Sequence, residues 1–306
     1  MALETSNPRR SRIDDVTTET GQFAILAIDH VGSFATAIRP EDPESFTLAE
    51  ARDVKRRLIG GLAPHASAVL VDPGYLTHGT RSELGLAEGT GVILGIEDGD
   101  YEAVEVEPRL LPGWSVERAA ELGVDAVKIS FYFDIDGDTS ASSQFVAEVV
   151  RQCAAVDMPL FAEPLAMVDD PRDRRRHVLE GVRRFSGMGA DVLKIQFPEQ
   201  TGADASRADW AAACQEVDEA CEVPWTLLSE GGDFALFSEL LGVACRAGAS
   251  GFLAGRTMWQ EAATGRREIE AAAGRLDEIR SIVVAHGAPW NRRNLSIAPG
   301  SEDATP

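Results

Sequence analysis

Short apolar segments alternate with longer amphipathic segments along most of the chain. The apolar segments are nearly continuous, which is typical of strands that are covered on both faces in a parallel sheet. Eight of them are predicted as strands: 23–29, 67–73, 91–97, 126–133, 159–166, 192–198, 224–230 and 251–259. The amphipathic segments between them are predicted as helices, among them 48–62, 115–123, 142–156, 174–189, 207–221, 233–248 and 266–287. Several of these helices end at a glycine just before the next strand, which is a common stop signal.

Eight successive strand–helix units predict an α/β fold, a single (β/α)₈ TIM barrel. An open doubly wound sheet is the structural alternative, but no G-x-G-x-x-G follows the first strand to support it. We place the barrel at residues 21–287, between a mobile N-terminal segment (1–20) and a flexible C-terminal tail (288–306), because both ends are polar. The acidic segment 97–114 is long for a loop and is either a lid or a solvated insertion.

Charge and composition narrow the classes of function. A formal charge of −21 repels nucleic-acid backbones and anionic membranes, so we expect neither as a partner. Apolar residues make up 44% of the chain, enough for a large core, yet no apolar run reaches the roughly 18 residues of a membrane span. The N-terminus lacks the apolar region of a secretory signal, and the four cysteines show no metal-type spacing. These features predict a cytoplasmic enzyme or binding protein with reduced thiols.

Lysine is rare in this chain, since only Lys55, Lys128 and Lys194 occur among 29 basic residues. Codon bias of a GC-rich genome and adaptation to a salty cytoplasm both explain this, and both make the retained lysines informative. Lys128 and Lys194 lie on the fourth and sixth predicted strands, in the matching contexts "GVDAVKIS" and "GADVLKIQ". Burial and a neighbouring ammonium are expected to lower the pKa of a lysine inside a barrel toward neutrality. A neutral amine attacks a carbonyl to form an iminium, which arginine does not do.

Carboxylates on neighbouring strands complete a candidate catalytic group, because barrel active sites lie at the carboxyl ends of the strands. Glu163, in the apolar segment "LFAEPLA", is the first choice for acid–base chemistry, since apolar neighbours are expected to raise its pKa. Asp29 orients the lysine or binds a substrate hydroxyl, or else caps the following helix. The alternative for the two lysines is a buried ion pair with Asp29, Asp72 or Glu163, although an ion pair alone gives no reason to avoid arginine.

An anion site is predicted after the seventh and eighth strands, where barrels commonly bind phosphate. The segments "LLSEGGDF" and "FLAGRTMW" offer a hydroxyl, glycine amides and a guanidinium, although each alone is equally a glycine-rich turn. The candidate substrate-binding residues are His30, Asp72, Ser229, Gly231, Gly232, Gly255 and Arg256. The five histidines are scattered and never paired at ligand spacing, so we expect no metal.

Several motifs together resemble the class I tagatose 1,6-bisphosphate aldolase family, including the similar sulfofructosephosphate aldolases. The likeness extends from Gly21 to Trp259 and is carried by "GQFAILAIDHVGS", "SAVLVDPGY", "DAVKISFYFDIDG", "FAEPL", "DVLKIQFP", "PWTLLSEGGD" and "AGASGFLAGRTMW". Two positions depart from the family pattern: His30 stands where Gln is usual, and Glu230 stands where a small residue is usual. A glutamate beside a phosphate site is electrostatically unfavourable.

The resemblance implies roles for the candidate residues. Lys194 corresponds to the Schiff-base lysine and Lys128 to the charge beside it, while Glu163 and Asp29 correspond to the acid–base and substrate-orienting groups. The anion-binding positions of the family match Ser229, Gly231, Gly255 and Arg256.

The function expected from the sequence is a class I aldolase that cleaves a phosphorylated ketose to dihydroxyacetone phosphate and an aldehyde, without a cofactor. Tagatose 1,6-bisphosphate is the first substrate and 6-deoxy-6-sulfofructose 1-phosphate the alternative. A non-catalytic phosphosugar-binding barrel is the alternative of another class, but such a protein has no use for two strand lysines and Glu163. A homo-oligomer is implied by the resemblance alone.

Overall fold

The computed structural model describes residues 12–74, 84–99, 107–168, 170–202 and 206–292. Within them, eight parallel strands form a closed barrel in chain order, and β8 pairs with β1 to close it. The strands are β1 (Phe23–Ile28), β2 (Ala68–Val71), β3 (Gly91–Gly95), β4 (Ala126–Phe133), β5 (Leu160–Ala166), β6 (Val192–Ile195), β7 (Trp225–Leu228) and β8 (Gly251–Ala254). The predicted (β/α)₈ TIM barrel is therefore confirmed.

Helices follow the strands and cover the barrel. They are α1 (Gly32–Ile38), α2 (Leu48–Leu62), α3 (Val116–Glu121), α4 (Ser140–Ala155), α5 (Arg174–Phe185), α6 (Arg207–Ala220), α7 (Phe234–Ala247), α8 (Arg256–Ala263) and α9 (Ile269–His286). Two of them, α1 and α8, have no counterpart among the predicted helices. The prediction extended the eighth strand to Trp259, which is wrong, because the strand ends at Ala254 and α8 begins at Arg256. Periodicity alone does not separate a short buried strand from a short buried helix.

Local sequence signals set several helix ends. The hydroxyl of Thr47 accepts a hydrogen bond from the Glu50 amide, and the Glu50 carboxylate accepts one from the Thr47 amide, so α2 begins with a complete capping box. Helix α7 ends before Gly248, whose φ of 126° is a conformation that side chains rarely adopt. The capping box explains why the predicted and observed first residues of α2 agree.

The strands place alternate side chains in two apolar layers. On β1, Ala24, Leu26 and Ile28 face the helices. Phe23 and Ile25 face the barrel interior, where Phe23 meets Phe161 edge-to-face with ring centroids 5.4 Å apart. The lower half of the barrel is thus filled with apolar side chains, so polar groups inside the barrel are concentrated toward the carboxyl ends of the strands.

Both predicted domain boundaries fall inside packed structure. Ile13 and Val16 are buried and belong to the interior cluster at the amino ends of the strands, together with Trp290. The Trp290 indole donates a hydrogen bond to the Asp14 carboxylate at 2.9 Å. The folded part of the chain therefore begins before residue 21 and continues past residue 288, because these side chains cover the open end of the barrel. Residues 1–11 and 293–306, for which mobility is predicted, lie outside the described residues.

The acidic segment after β3 is described only in part. Glu97 and Leu110 form an isolated antiparallel bridge. Residues 100–106, on which the choice between lid and insertion depends, lie outside the described residues. In the described part of the chain, we find no helix with both the length and the apolar character that crossing a bilayer requires.

Candidate active site

Strand register brings the candidate catalytic residues together at the carboxyl end of the barrel. Ser130 on β4 lies opposite Glu163 on β5. The next pairing, Ala162 with Leu193, places Glu163 beside Lys194 on β6. Side chains two residues apart on a strand share a face, so Lys128 and Ser130 both point toward the barrel interior. Barrel closure thus converts four separate sequence motifs into one group of side chains.

Lys128 lies at the centre of a buried lysine–carboxylate cluster, formed by Asp29, Glu97, Lys128, Glu163 and Lys194. Its Nζ lies 2.8 Å from Asp29 Oδ2, 2.6 Å from Glu97 Oε1 and 3.1 Å from Glu163 Oε2, and its side chain has no exposed surface. Opposite charges at these distances favour the charged form of each partner. The sequence-based alternative of a buried ion pair therefore describes Lys128, which fixes three carboxylates in place, and Lys194 also forms an ion pair with Glu163.

Lys194 occupies a different position in the lysine–carboxylate cluster. Its Nζ lies 2.8 Å from Glu163 Oε1, and its side chain lines the cavity at the mouth of the barrel. Glu163 bridges the two lysines through its two oxygens and also accepts a short hydrogen bond from the Ser130 hydroxyl. Lys194 is thus the lysine of the cluster that a molecule in the cavity would contact.

The charges of the cluster determine the protonation of its carboxylates. Burial raises the pKa of Asp29, but Lys128, Lys194 and His30 outweigh burial and hold this pKa well below its usual range. The same balance lowers the pKa of Glu163, since burial is opposed by Lys194 and Lys128. The prediction that apolar neighbours raise the pKa of Glu163 is therefore wrong, because the two ammonium groups dominate its surroundings. Glu163 is therefore ionised at neutral pH.

His30 lies beside this cluster, after β1. Its Nδ1 is 3.7 Å from Asp29 Oδ1, and its ring packs edge-to-face on Trp259 with centroids 5.4 Å apart. The pKa of His30 is lowered to about 4, mainly by burial. Lys194 and Arg256 lower it further, and together these effects outweigh Asp29, which raises it. A Cβ at Gly255 would lie 2.6 Å from His30 Cε1, so glycine is needed there for the ring to fit. His30 therefore presents a neutral imidazole to the cavity.

The loops after β7 and β8 form an anion corner, which consists of Ser229, Gly231, Gly255 and Arg256. The Gly255 amide donates a hydrogen bond to Ser229 Oγ at 3.3 Å. Gly231 has a φ of 72°, and a Cβ there would lie 3.0 Å from Arg256 Nε, so a side chain would both strain the backbone and crowd the guanidinium. In the described part of the chain, Arg256 Nε has no hydrogen-bond partner and no carboxylate forms an ion pair with Arg256. The corner offers donors to an anion.

A cavity of about 270 Å³ joins the lysine–carboxylate cluster to the anion corner. We call it the barrel-mouth cavity. Eight of the residues predicted for the site line it: Asp29, His30, Glu163, Lys194, Ser229, Gly231, Gly255 and Arg256, which is the first residue of α8. Lys128 lies behind Glu163 and does not line it.

Two predicted substrate-binding residues lie elsewhere. The Asp72 carboxylate is held by a short ion pair with Lys55, which also donates a hydrogen bond to the His30 carbonyl at 2.8 Å. Asp72 is thus neutralised by a buried lysine and does not line the barrel-mouth cavity. Gly232 lines a neighbouring cavity, where its carbonyl accepts a hydrogen bond from Thr257. The structure therefore assigns structural contacts, rather than a place in this cavity, to both residues.

Sequence reasoning left out several residues of the site. Glu97 and Ser130 complete the lysine–carboxylate cluster, and Lys55 supports the loop that carries His30. Signals for two of them were available: Ser130 lies two residues after Lys128 on the same strand face, and Lys55 is the third retained lysine. Arg174, which pairs with Glu230, gave no signal because it lies in a helix rich in arginine.

No metal centre emerges from the described residues. None of their His, Cys, Asp and Glu side chains form a group of three or more that could hold a metal ion. The carboxylates inside the barrel are instead paired with lysines. The expectation that the protein needs no metal stays a prediction.

The arrangement suits the chemistry of a carbonyl compound that carries an anionic group. Such a molecule in the barrel-mouth cavity would meet an amine, an ionised carboxylate, a neutral imidazole and a guanidinium within one enclosed space. Amine and carboxylate in contact allow proton transfer during nucleophilic attack. The guanidinium and the backbone amides supply charge-assisted hydrogen bonds to an anion.

Comparison with solved structures supports the fold. A protein from Corynebacterium glutamicum superposes with a TM-score of 0.66 at 20% identity, with 92% of this chain and 94% of that chain covered. A Schiff-base-forming fructose-1,6-bisphosphate aldolase superposes with a TM-score of 0.62 at 20% identity, with 90% and 99% covered. Both similarities are to TIM barrels of the same architecture.

Sequence comparison gives the family. A tagatose 1,6-diphosphate aldolase of Streptococcus mutans is 28% identical over 93% of this chain and 98% of its own length. Another from Streptococcus agalactiae is 30% identical over 82% of this chain and 84% of its own length. The family model for DeoC/LacD family aldolases matches residues 23–261, which include every strand of the barrel. The chain therefore belongs to the DeoC/LacD family of aldolases, enzymes that make and break carbon–carbon bonds.

Proposed function

We propose that this protein is a class I aldolase that reversibly cleaves tagatose 1,6-bisphosphate to dihydroxyacetone phosphate and an aldehyde, through an iminium on Lys194. One observation carries the proposal: Lys194 Nζ faces the barrel-mouth cavity and lies 2.8 Å from the ionised carboxylate of Glu163. That pair supplies a nucleophile and the base that frees it of its proton.

The reaction follows from these positions. Glu163 accepts a proton from Lys194, and the neutral amine attacks the C2 carbonyl of the ketose. Loss of water from this adduct leaves an iminium, which withdraws electrons from the C3–C4 bond. A base removes the proton of the C4 hydroxyl, the C3–C4 bond breaks, and its electron pair forms an enamine while the aldehyde leaves. We assign this proton transfer to Glu163 or Asp29, and the presence of both in the cavity lining supports the assignment.

Return of the enzyme to its starting state completes the cycle. A proton added to C3 of the enamine regenerates the iminium, and water hydrolyses it to release dihydroxyacetone phosphate and the Lys194 amine. Lys128 stays charged between its carboxylates and keeps Asp29 and Glu163 ionised. We therefore assign Lys128 to holding the carboxylates and Lys194 to covalent chemistry.

The substrate is proposed from the anion corner and the relatives. The presence of Ser229, Gly231, Gly255 and Arg256 in the same cavity as Lys194 supports their role in binding the phosphate that stays with the dihydroxyacetone half. The curated relatives from Streptococcus mutans and Lactococcus lactis are named tagatose 1,6-diphosphate aldolases, and this chain spans 98% and 97% of their lengths. Nothing in the described site favours 6-deoxy-6-sulfofructose 1-phosphate or a non-catalytic role.

Two further parts of the proposal concern the protein in the cell. We infer a cytoplasmic location, supported by four free cysteines that are all buried. A homo-oligomeric assembly is the expectation carried by the resemblance of the sequence, and size-exclusion chromatography with light scattering measures it.

Trapping with borohydride tests the covalent step. Incubation with dihydroxyacetone phosphate, reduction and peptide mass analysis should locate one adduct, on Lys194. Lys194→Arg should abolish both the adduct and turnover, whereas Lys55→Arg, a change at another buried lysine, should keep both. An unmodified wild-type protein at saturating ligand, or an adduct on Lys128, would contradict the proposal. Paired kinetics on tagatose 1,6-bisphosphate and 6-deoxy-6-sulfofructose 1-phosphate then test the substrate.

A further inference from the structure

A carboxylate lies in the wall of the anion corner. Glu230 stands between Ser229 and Gly231, lines the barrel-mouth cavity together with Arg256, and has a φ of 50°. A glutamate in such a place competes with a bound phosphate in two ways: it repels the anion, and it offers its own oxygens to the guanidinium. The corner can bind an anion well only if this carboxylate is held elsewhere.

Arg174 holds it. This residue begins α5, and its Nη2 forms a short ion pair with Glu230 Oε1. Its Nε donates a hydrogen bond to the Phe197 carbonyl at 2.7 Å, which anchors the guanidinium to the chain just after β6. The side chain of Arg174 is 20% exposed and that of Glu230 is 38% exposed, so the pair lies near the surface and depends on the anchored guanidinium for its position. Arg174 does not line the barrel-mouth cavity, whereas it does line the neighbouring cavity.

Arg256 contrasts with Arg174. In the described part of the chain, Glu230 pairs with Arg174 and no carboxylate pairs with Arg256, although Glu230 and Arg256 line the same cavity. The guanidinium of Arg256 instead lies against Gly231, with its Nε buried and without a hydrogen-bond partner there. Glu230 therefore pairs with Arg174, which lies outside the barrel-mouth cavity, and not with Arg256, which lines it.

We propose that Arg174 is a positioning residue that keeps Glu230 away from Arg256, so that Arg256 remains available for the phosphate of the substrate. The inference rests on the proposed function, because it concerns the phosphate site of that reaction. It explains how this chain accommodates a glutamate in an anion-binding loop. Without Arg174, the Glu230 carboxylate turns toward the remaining guanidinium and blocks the anion.

A set of four variants tests the inference: Arg174→Met, Arg174→Lys, Glu230→Gln and the double variant Arg174→Met/Glu230→Gln. Calorimetry should show binding of dihydroxyacetone phosphate weakened by about tenfold or more in Arg174→Met, because the freed Glu230 carboxylate then lies beside the phosphate and like charges in contact are costly. Glu230→Gln should bind at least as tightly as the wild type. The double variant should recover to within about threefold of the wild type, and Arg174→Lys should remain within the same range because it keeps the charge.

The readouts separate positioning from a structural role. Dihydroxyacetone has no phosphate, so its KM should be the same in all four variants, while KM for the phosphorylated substrate rises in Arg174→Met and kcat changes little. If Glu230→Gln fails to restore binding to Arg174→Met, Arg174 acts through Phe197 and the inference is wrong. Unchanged phosphate binding in Arg174→Met also overturns it.

The test is independent of the covalent chemistry. Titration with inorganic phosphate measures the same four variants without any reaction at Lys194, and it should give the same order of affinities. If borohydride trapping fails but phosphate binding follows this order, the proposed reaction is wrong and the inference stands. If trapping succeeds but the order is absent, the inference alone is wrong.

Discussion

Replacement of Lys128 by methionine removes the charge on which three buried carboxylates depend. Methionine nearly matches lysine in length, so the change removes the ammonium and leaves the volume filled. Asp29 and Glu97 then lose their ion pairs with Lys128, whereas Glu163 keeps its ion pair with Lys194. Within the cluster, three carboxylates face one ammonium, which changes its formal charge from −1 to −2.

The magnitude follows from burial. Lys128 is 0% exposed and lies within 3.1 Å of all three carboxylates. Removal of one partner of a buried ion pair typically costs about 3–5 kcal/mol. We expect at least this loss in the free energy of unfolding near pH 7.5, or a decrease in Tm of roughly 6–10 °C at about 2 °C per kcal/mol for a domain of this size.

The pH dependence of stability should also change sign. In the wild type, the pKa values of Asp29 and Glu163 are lowered in the folded state, so both carboxylates stabilise it above their unfolded pKa values, and this contribution is lost as the pH falls through the folded ones. In Lys128→Met, burial without the ammonium raises the pKa of Asp29. The folded variant then holds a proton that the unfolded chain has released, and stability falls with rising pH by up to about 1.4 kcal/mol per unit.

Urea unfolding followed by circular dichroism between pH 5 and 8 measures both effects. Lys128→Met should be less stable than the wild type at pH 8 and should recover part of the loss at pH 5. Lys194→Met is the matched control, because Glu163 keeps Lys128 as a partner and most of the stability should remain while activity is lost. A Lys128→Met protein as stable as the wild type at pH 8, or equally destabilised at both pH values, would refute the reasoning.

Two further substitutions test the cavity wall. The pKa of His30 is lowered from 6.5 to about 4 in the folded protein, so the unfolded chain takes up the proton first and the folded state loses stability as the pH decreases from about 6.5 to 4. In urea unfolding, His30→Gln should therefore lose less stability over this pH range than the wild type, by up to about 3 kcal/mol. An identical loss in both proteins would contradict the assigned neutral imidazole. Gly255→Ala should displace the His30 ring and raise KM in steady-state kinetics by about tenfold or more. Gly232→Ala is the control, because its Cβ would approach only the Ser229 carbonyl, at 3.8 Å, and KM should stay near the wild-type value. Equal effects of the two changes on KM would count against the contact between residue 255 and His30.

Strand patterns predicted the positions of the two site lysines but not their surroundings. The matching contexts of Lys128 and Lys194 placed both lysines on barrel strands, and both do lie there. They did not show that Lys128 is enclosed by carboxylates while Lys194 faces the cavity. That difference depends on the loops and on which strands become neighbours, so similar local contexts led to two different environments.

The prediction of a raised pKa for Glu163 was wrong because the partners of a charged group also depend on which strands become neighbours. The apolar neighbours of Glu163 in the sequence suggested a raised pKa, yet the residues that determine it are Lys128 and Lys194, 35 and 31 positions away. The unfavourable position of Glu230 is compensated by Arg174, 56 positions away. Neighbours along the chain therefore describe the burial of a charge, but not its partner.

The sequence by itself determined the barrel, the strands that carry the chemistry and the loops that form the anion corner, because apolar periodicity and glycine positions act over a few residues. Only the tertiary structure decided which lysine lines the cavity and in which direction the pKa of Glu163 shifts. It also decided that Asp72 forms an ion pair with Lys55 and does not line the cavity. Each of these depends on distances between side chains of different strands and helices. Such distances are fixed by closure of the barrel and by packing, which no local pattern encodes.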